Sequence, residues 1–289
     1  MPTPIVEKFS RDVLRPGEGT IVSDPYDIAR LRQELTPIGF NLLFYPQIPT
    51  TMGVIEEQAL AGNISPLVAL TDHQTQGIGR EGRDWHDVPG KSILMSVLIR
   101  GINESAIATY ADLVALSICR TLRQETAQSV QLKWPNDVVH QDRKVGGILT
   151  KNVYDGTGKH IATNVGIGIN VHQTDAELPP TDYGAGSLDS IAGRALEREF
   201  LVMQIVKAIS EIGPDAEIIR VNPTTQAVYN HLWQESSSLL NRTVRVEGKD
   251  ESVEGTVIDT QIGQGLVLQT ASGQRKITIF DPSMKVRII

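Results

Sequence analysis

The chain contains the stretch K-W-P-N-D at residues 133–137, followed after five residues by R-K-V-G-G-I-L at residues 143–149. Pro135 cannot continue a central strand, and it fixes a turn that presents Asn136 and Asp137 at its tip. An amide there can read an adenine edge through its paired donor and acceptor, and a carboxylate can hold Mg²⁺ or a ribose hydroxyl. The alternative is an ordinary turn in which both side chains bond to their own backbone.

The second half of this stretch places a cation on a strand that contains glycine. Lys144 opens the strand, and Gly146 and Gly147 let a substrate lie against the backbone. A lysine in that position is a point charge for phosphate or carboxylate oxygens. The alternative is a surface lysine on a hairpin, and these residues alone leave both interpretations open.

A loop rich in glycine and arginine lies upstream, with the sequence Q-T-Q-G-I-G-R-E-G-R-D-W at residues 74–85. Its glycines let backbone N–H groups approach a ligand, and its arginines offer forked donors for anionic oxygens. The loop fits G-x-G-x-x-G, but polar residues separate it from the preceding strand and residues 85–90 are a poor helix start, which excludes a dinucleotide fold. Gly90-Lys91-Ser92 is not a P-loop, because Trp85 stands where the first glycine is required. The loop therefore indicates an anion-binding loop or a solvated turn.

A third segment, G-I-G-I-N at residues 166–170, is an apolar strand that ends in an amide. It lacks the third glycine of a nucleotide fingerprint. Its alternative interpretation is a bulged strand of the core.

Composition limits the class of protein. The 289 residues carry a net charge of -7, which argues against a general binder of phosphate backbones. Cys119 is the only cysteine and lies in an apolar stretch, so we expect a buried thiol and no disulfide. The N-terminus lacks the features of a signal peptide, and no continuous apolar run is long enough to span a bilayer. We therefore expect a cytoplasmic protein without a membrane partner.

The apolar periodicity predicts helices and strands without regular βαβ alternation. Helical periods cover residues 106–123 and 196–212, and apolar strands recur at residues 92–100 and 163–171. From residue 241 onward, alternating valines and turn glycines indicate four or five short strands of a small β-barrel. The predicted fold class is α+β, with a central mixed sheet, flanking helices and a small C-terminal β-barrel.

Taken in order, these segments closely resemble biotin–protein ligases. The family pattern is a glycine- and arginine-rich loop ending in Trp, then K-W-P-N-D, R-K-x-x-G-I-L and G-x-G-I-N; it is met at residues 77–85, 133–137, 143–149 and 166–170. The correspondence runs from about Leu42 to the C-terminus. The mixed charge, proline and glycine of residues 1–22 indicate an arm, which together with a short helix makes up residues 1–38. The resemblance implies a catalytic biotin/lipoate ligase-like domain at 39–236 and an SH3-like barrel at 237–289.

The resemblance also implies an activity. Such an enzyme activates biotin with ATP and Mg²⁺ to biotinyl-5'-AMP, and then transfers biotin to a specific lysine of a biotin carboxyl carrier protein. Arg80 and Lys144 correspond to the catalytic pair. The biotin-binding positions implied are Thr50, Thr51, Met52, Gln74, Gly77, Ile78, Gly79, Arg80, Lys144 and Gly147. The ATP-binding positions implied are Arg83, Trp85, Asn136, Asp137 and Asn170, with Asp137 also the implied Mg²⁺ ligand.

Three positions depart from the family pattern. Ile78 stands where an arginine is usual, Met52 replaces an asparagine, and Lys151 replaces a carboxylate that commonly follows G-I-L-x. We expect the segments 77–82 and 177–186 to close over the reaction intermediate and exclude water.

Two other functions stay open at this point. One is a lipoate or octanoate ligase of the same superfamily, although its usual arginine–histidine signature is not visible. The other is a biotin-binding protein without catalysis, which Ile78 and Met52 suggest. About forty residues precede Leu42, too few for a helix-turn-helix and a linker, so we expect no DNA binding. A homodimer is compatible with the resemblance.

Overall fold

The structure is a computed structural model, which describes residues 26–64, 66–181, 184–212, 215–249, 251–278 and 284–289. The predicted N-terminal arm at residues 1–22 lies outside the described residues. Helix α1, Ile28–Leu35, is capped by Asp27, whose carboxylate accepts the Arg30 backbone N–H at 3.0 Å. A short 3₁₀ turn then ends at Gly39, whose φ of 89° suits glycine.

The chain forms seven α-helices and twelve strands within the described ranges. The helices are α1 Ile28–Leu35, α2 Thr51–Leu60, α3 Ile107–Thr126, α4 Leu188–Ala192, α5 Arg198–Ser210, α6 Asp215–Val221 and α7 Pro223–Ser236. The first seven strands are β1 Asn41–Ile48, β2 Leu67–Gln74, β3 Ser92–Ile99, β4 Val130–Lys133, β5 Asp137–His140, β6 Arg143–Tyr154 and β7 His160–Asn170. The other five are β8 Thr243–Glu247, β9 Ser252–Gln261, β10 Gly265–Thr270, β11 Gly273–Ile277 and β12 Lys285–Ile288.

The first seven strands form one mixed sheet in the order β1-β2-β3-β7-β6-β5-β4. Strands β1 and β2 pair in parallel and are joined through helix α2, as a parallel pair requires a crossover. The remaining neighbours pair antiparallel. The predicted α+β fold with a mixed central sheet is therefore confirmed.

Alternate residues of β7 face opposite sides of this sheet, which distinguishes its two faces. Val165, Ile167 and Ile169 enter the main core, which contains residues of α3 and α5. Residues 164, 166 and 168 therefore face the opposite side, where Asn164 donates its side-chain N–H to the Met52 carbonyl of α2 at 2.8 Å. A smaller apolar core lies beneath α2 on this second side, and the rest of that face carries the cleft described below.

Helix α3 is the central helix of the main core. Together with the preceding turn it is apolar enough by length and composition to cross a membrane, but 67% of its most apolar stretch is buried in the fold. The thiol of Cys119 is buried there and donates to the Val130 carbonyl, as expected for a core cysteine.

The last five strands form a second, antiparallel sheet in the order β11-β10-β9-β8-β12, which confirms the predicted C-terminal all-β unit. It is joined to the rest of the fold by directional contacts. The Trp233 indole N–H donates to Thr260 Oγ1 at 2.8 Å, and the Gly263 backbone N–H donates to Asp112 at 2.6 Å. Apolar residues of both units belong to one continuous core. The division into domains at residues 38/39 and 236/237 stays a prediction.

Candidate active site

A cleft of about 850 Å³ opens on the α2 side of the central sheet. Its floor is formed by Gly147 of β6 together with Gly166 and Gly168 of β7, which we call the glycine floor. The walls are the N-terminus of α2, the glycine- and arginine-rich loop, the β4–β5 turn, residues 179–181 with Ala185, and the C-terminal residues 284–289.

The glycine floor has no side chains because other groups occupy that space. A Cβ on Gly168 would lie 2.6 Å from Trp85 Cε2, and one on Gly147 would lie 3.2 Å from Trp85 Cζ3. A Cβ on Gly166 would lie 2.9 Å from Met52 Sδ. The indole of Trp85 therefore lies flat against the backbone of β6 and β7, which only glycine permits.

One end of the cleft is built from uncharged polar groups. The backbone N–H and the hydroxyl of Thr51 donate to Gln74 Oε1, at 2.8 and 3.1 Å, and Thr51 Oγ1 lies 2.7 Å from Ser96 Oγ. Thr50 caps α2 by accepting the Met52 backbone N–H at 3.3 Å. These contacts fix the orientation of the Gln74 amide, so this end can recognise a neutral ligand group that pairs donors with acceptors.

The opposite end carries charge. Lys144 Nζ lies 2.6 Å from Asp137 Oδ1 and 5.6 Å from the centre of the Trp85 ring. The Arg80 guanidinium donates to Asn136 Oδ1 at 3.3 Å. The K-W-P-N-D turn and the arginine loop therefore meet at this point, and both cations line the cleft. Cations on a rigid backbone suit a reaction that brings anionic oxygens together.

Residues 77–85 form a small hairpin, which we call the arginine hairpin. The Gly79 N–H donates to the Arg83 carbonyl at 2.7 Å, and the Trp85 N–H donates to the Gly77 carbonyl at 2.9 Å. Arg83, just after the tip, pairs with Glu81 at 3.7 Å, and its side chain is more than half exposed. Ile78 is 47% exposed and lines the cleft.

A segment after β7 covers the charged end. The Lys144 N–H donates to the Gly184 carbonyl at 2.9 Å, and the Gly186 N–H donates to the Lys144 carbonyl at 2.8 Å. Asn170 donates its side-chain N–H to the Gly186 carbonyl at 3.1 Å. The side chain of Asn170, which the resemblance assigns to the nucleotide, therefore also holds this covering segment.

An ion pair on the outer side helps to fasten this cover. Lys91 Nζ lies 2.6 and 2.8 Å from the two carboxylate oxygens of Glu177. The hydrogen bond from Lys91, and then that from the Thr174 backbone N–H, lower the pKa of Glu177 to about 2. The Glu177 carboxylate stays ionised, and able to pair, well into acid solution.

Residues from the C-terminal sheet also reach the cleft. Arg242 pairs with both oxygens of Asp142, in the β5–β6 turn, at 2.6 and 2.8 Å. Arg242 and residues 284–289 of the β12 segment line the same cleft. Sequence reasoning missed this contribution because the two parts are about 100 residues apart and carry no shared local pattern.

The structure brings fourteen of the fifteen predicted site residues to one cleft. They are Thr50, Thr51, Met52, Gln74, Ile78, Gly79, Arg80, Arg83, Trp85, Asn136, Asp137, Lys144, Gly147 and Asn170. The fifteenth, Gly77, is not part of the lining. A Cβ there would lie 2.6 Å from the Trp85 carbonyl oxygen, so Gly77 is needed for the hairpin to close. The roles of all fifteen residues stay predictions.

Comparison with known proteins finds similar chains of one kind. The model of the biotin/lipoate A/B protein ligase family matches residues 44–170. The resemblance to biotin–protein ligases is confirmed by proteins named as such. The chain is similar to the bifunctional ligase/repressor BirA of Escherichia coli, with 27% identity over 83% of this chain and 73% of that protein. It is also similar to the biotin–[acetyl-CoA-carboxylase] ligase of Mycobacterium tuberculosis, with 28% identity over 82% of this chain and 84% of that protein.

A solved structure shows the same fold. The biotin protein ligase from Aquifex aeolicus in complex with biotin and ATP matches 86% of this chain and 99% of its own, with a TM-score of 0.70 and 25% identity.

Proposed function

We propose that this chain is an ATP-dependent ligase that converts biotin to biotinyl-5'-AMP and transfers biotin to a lysine of a biotin carboxyl carrier protein. The observation that carries the proposal is the cleft itself, with a fixed polar amide at one end and the Arg80 and Lys144 cations at the other. The proteins that the chain resembles are named as biotin ligases, and one of them holds biotin and ATP.

The proposed reaction has two steps. In the first, a carboxylate oxygen of biotin attacks the α-phosphorus of ATP, and pyrophosphate leaves. In the second, the lysine amine attacks the carbonyl carbon, AMP leaves, and the amine loses a proton. Lys144 and Arg80 offset the charge that develops between carboxylate and phosphate in the first step. Lys144 would exchange its Asp137 partner for these oxygens when the substrates bind.

The two ends of the cleft divide the substrates between them. Gln74 and Thr51 would hold the ureido ring of biotin, and the valeryl chain would pass along the Trp85 indole, which covers part of the glycine floor. Asn136 and Asp137 would face the nucleotide. This assignment puts the reacting carboxylate next to Lys144, because the Lys144 ammonium lies over the Trp85 ring.

Magnesium would enter with the nucleotide. Asp137 is a cleft-lining carboxylate, and no group of three or more His, Cys, Asp or Glu suited to a metal occurs in the part of the chain that the structure describes. One carboxylate is enough, since Mg²⁺ is commonly held by one or two carboxylates plus substrate phosphates and waters. Asp137 would hold the ion, which would supply charge neutralisation at the phosphates.

Biotin-dependent exchange of labelled pyrophosphate into ATP tests the proposal. Exchange stimulated by biotin supports it, whereas exchange stimulated by lipoate or octanoate would assign the chain to the other branch of the family. Tight biotin binding with no exchange would make it a binding protein without catalysis. Transfer of labelled biotin to purified carrier domains then identifies the acceptor.

Three further parts of the proposal concern partners and location. We expect no DNA binding, which a gel-shift assay with candidate operators checks. We expect a cytoplasmic protein that can form a homodimer, and light scattering with and without biotin and ATP measures the oligomeric state.

A further inference from the structure

The arginine hairpin is held together as one unit, because its two arms are joined by backbone hydrogen bonds. Ile78 and Asp84 form an isolated antiparallel bridge between the two hydrogen bonds described above. Arg80 and Trp85 both lie on this hairpin. Their positions in the cleft therefore depend on how its two stems are attached to the central sheet.

The incoming stem is attached through the backbone. The Thr75 N–H donates to the Ile48 carbonyl at 3.0 Å, and the Gln76 N–H donates to the Pro49 carbonyl at 2.9 Å. These bonds follow directly on the parallel pairing of β1 and β2, whose last pair is Ile48 and Gln74. The outgoing stem, which follows Trp85, has one such bond to β2, from the Gly90 N–H to the Asp72 carbonyl at 3.0 Å.

Nearer to Trp85, the outgoing stem is attached through a buried carboxylate. The side chain of Asp87 is 1% exposed; its Oδ2 lies 2.9 Å from His73 Nδ1, and its Oδ1 accepts the Gln74 backbone N–H at 3.4 Å. Burial raises the pKa of Asp87, and the hydrogen bond from His73 opposes that rise. A buried carboxylate that keeps a ring nitrogen and a backbone N–H as partners is a directional tie between the loop and the end of β2.

We propose that Asp87 and His73 form a clamp that positions the two ends of the biotin site at once, and thereby retains the adenylate. The proposal rests on the proposed function. Asp87 follows Trp85 by two residues and bonds to the backbone of Gln74, so a shift of Asp87 moves the indole and the Gln74 amide together. His73 is not among the cleft-lining residues, so the pair is a positioning device and not a base that touches substrate.

Variants that keep or remove the donor test the clamp. Asp87→Ala and His73→Leu remove it, whereas His73→Asn keeps an N–H donor close to the position of Nδ1. His231→Leu is the matched control, because His231 pairs with Glu235 on the exposed face of α7. We expect the first two variants to raise the KM for biotin and the rate of adenylate release by about 10-fold, with kcat within about 3-fold. His73→Asn should come within about 3-fold of wild type.

A second measurement does not need catalysis. Trypsin cleaves after Arg80 and Arg83, and loss of the clamp should speed cleavage of the ligand-free hairpin by about 10-fold in Asp87→Ala and His73→Leu. A thermal-unfolding scan identifies variants that fail to fold. If Asp87→Ala fails to fold, the comparison of His73→Leu with His73→Asn still tests the clamp.

The outcomes separate the clamp from the proposed function. A fall in kcat with unchanged KM, unchanged release and unchanged cleavage would overturn the clamp, as would His73→Asn behaving like His73→Leu. Absence of biotin-stimulated exchange in the wild type would overturn the proposed function instead, while the cleavage rates would still report on the attachment of the hairpin.

Discussion

Replacing Gly168 by alanine tests whether the contact between Trp85 and the glycine floor matters for catalysis. The new Cβ would lie 2.6 Å from Cε2 and 2.7 Å from Cζ2 of the indole. Ordinary carbon–carbon contacts are about 3.5–4.0 Å, so the ring must lift by about 1 Å. The Lys144 ammonium next to the ring would lose its place as well.

The size of the effect follows from this displacement. A misplacement of about 1 Å in groups that align reactants can cost about 100-fold in rate, or about 2.7 kcal/mol in activation free energy. We expect biotin-stimulated pyrophosphate exchange to fall by about that factor. The free energy of unfolding should change little, since alanine is less costly than glycine in a strand interior and offsets part of the strain.

The control is Gly156→Ala, where the added Cβ meets no heavy atom within 4 Å. A double-mutant cycle with Trp85→Ala then locates the cause, because the alanine at residue 168 should cost nothing further once the indole is absent. Exchange by Gly168→Ala within about 3-fold of wild type would refute the reasoning. The reasoning would also be refuted if Gly168→Ala lowered the exchange rate equally in the wild type and in Trp85→Ala.

Three other predictions concern charge. Lys144→Ala should lower adenylate formation, measured by biotin-stimulated pyrophosphate exchange, at least about 100-fold and leave the fold intact. The control is Lys151→Ala, at an exposed lysine that pairs with Glu56, which should change the same exchange rate less than about 2-fold. Arg80→Gly should speed release of the adenylate, measured by filter retention, since it removes the contact with the β4–β5 turn; an unchanged release rate would contradict that role. Burial raises the pKa of Asp112 from 3.8 to about 7, so this carboxylate weakens the fold progressively as the pH rises from about 4 to 7. Asp112→Asn keeps an acceptor for the Gly263 N–H and should raise the free energy of unfolding by about 1–2 kcal/mol at pH 8 but not at pH 4, as urea titrations would show.

Much of the fold could be predicted because its elements have clear periods. The predicted helix at residues 106–123 is α3, Ile107–Thr126, and the predicted helix at 196–212 is α5, Arg198–Ser210. The strand β5, Asp137–His140, was missed because four residues after a turn are too few for a period to show.

The site was predictable where its chemistry lies in contiguous motifs. The arginine hairpin, the β4–β5 turn and the glycine floor each come from one short stretch of sequence. The His73–Asp87 pair and the Arg242–Asp142 pair could not be predicted, because their partners are 14 and 100 residues apart and meet only through the packing of the sheet. Ile78 departs from the family pattern in its side chain, but its hairpin still forms through backbone groups.

The positions of the tryptophans make their intrinsic fluorescence a reporter of ligand binding. Trp85 and Trp134 both line the cleft, whereas Trp233, the third tryptophan, is buried with its indole N–H bonded to Thr260. Intrinsic fluorescence should therefore divide into a part that responds to ligands and a part that stays constant. Substrate arrival and adenylate departure can be followed in real time on unlabelled protein, and Trp85→Phe would assign the responsive part.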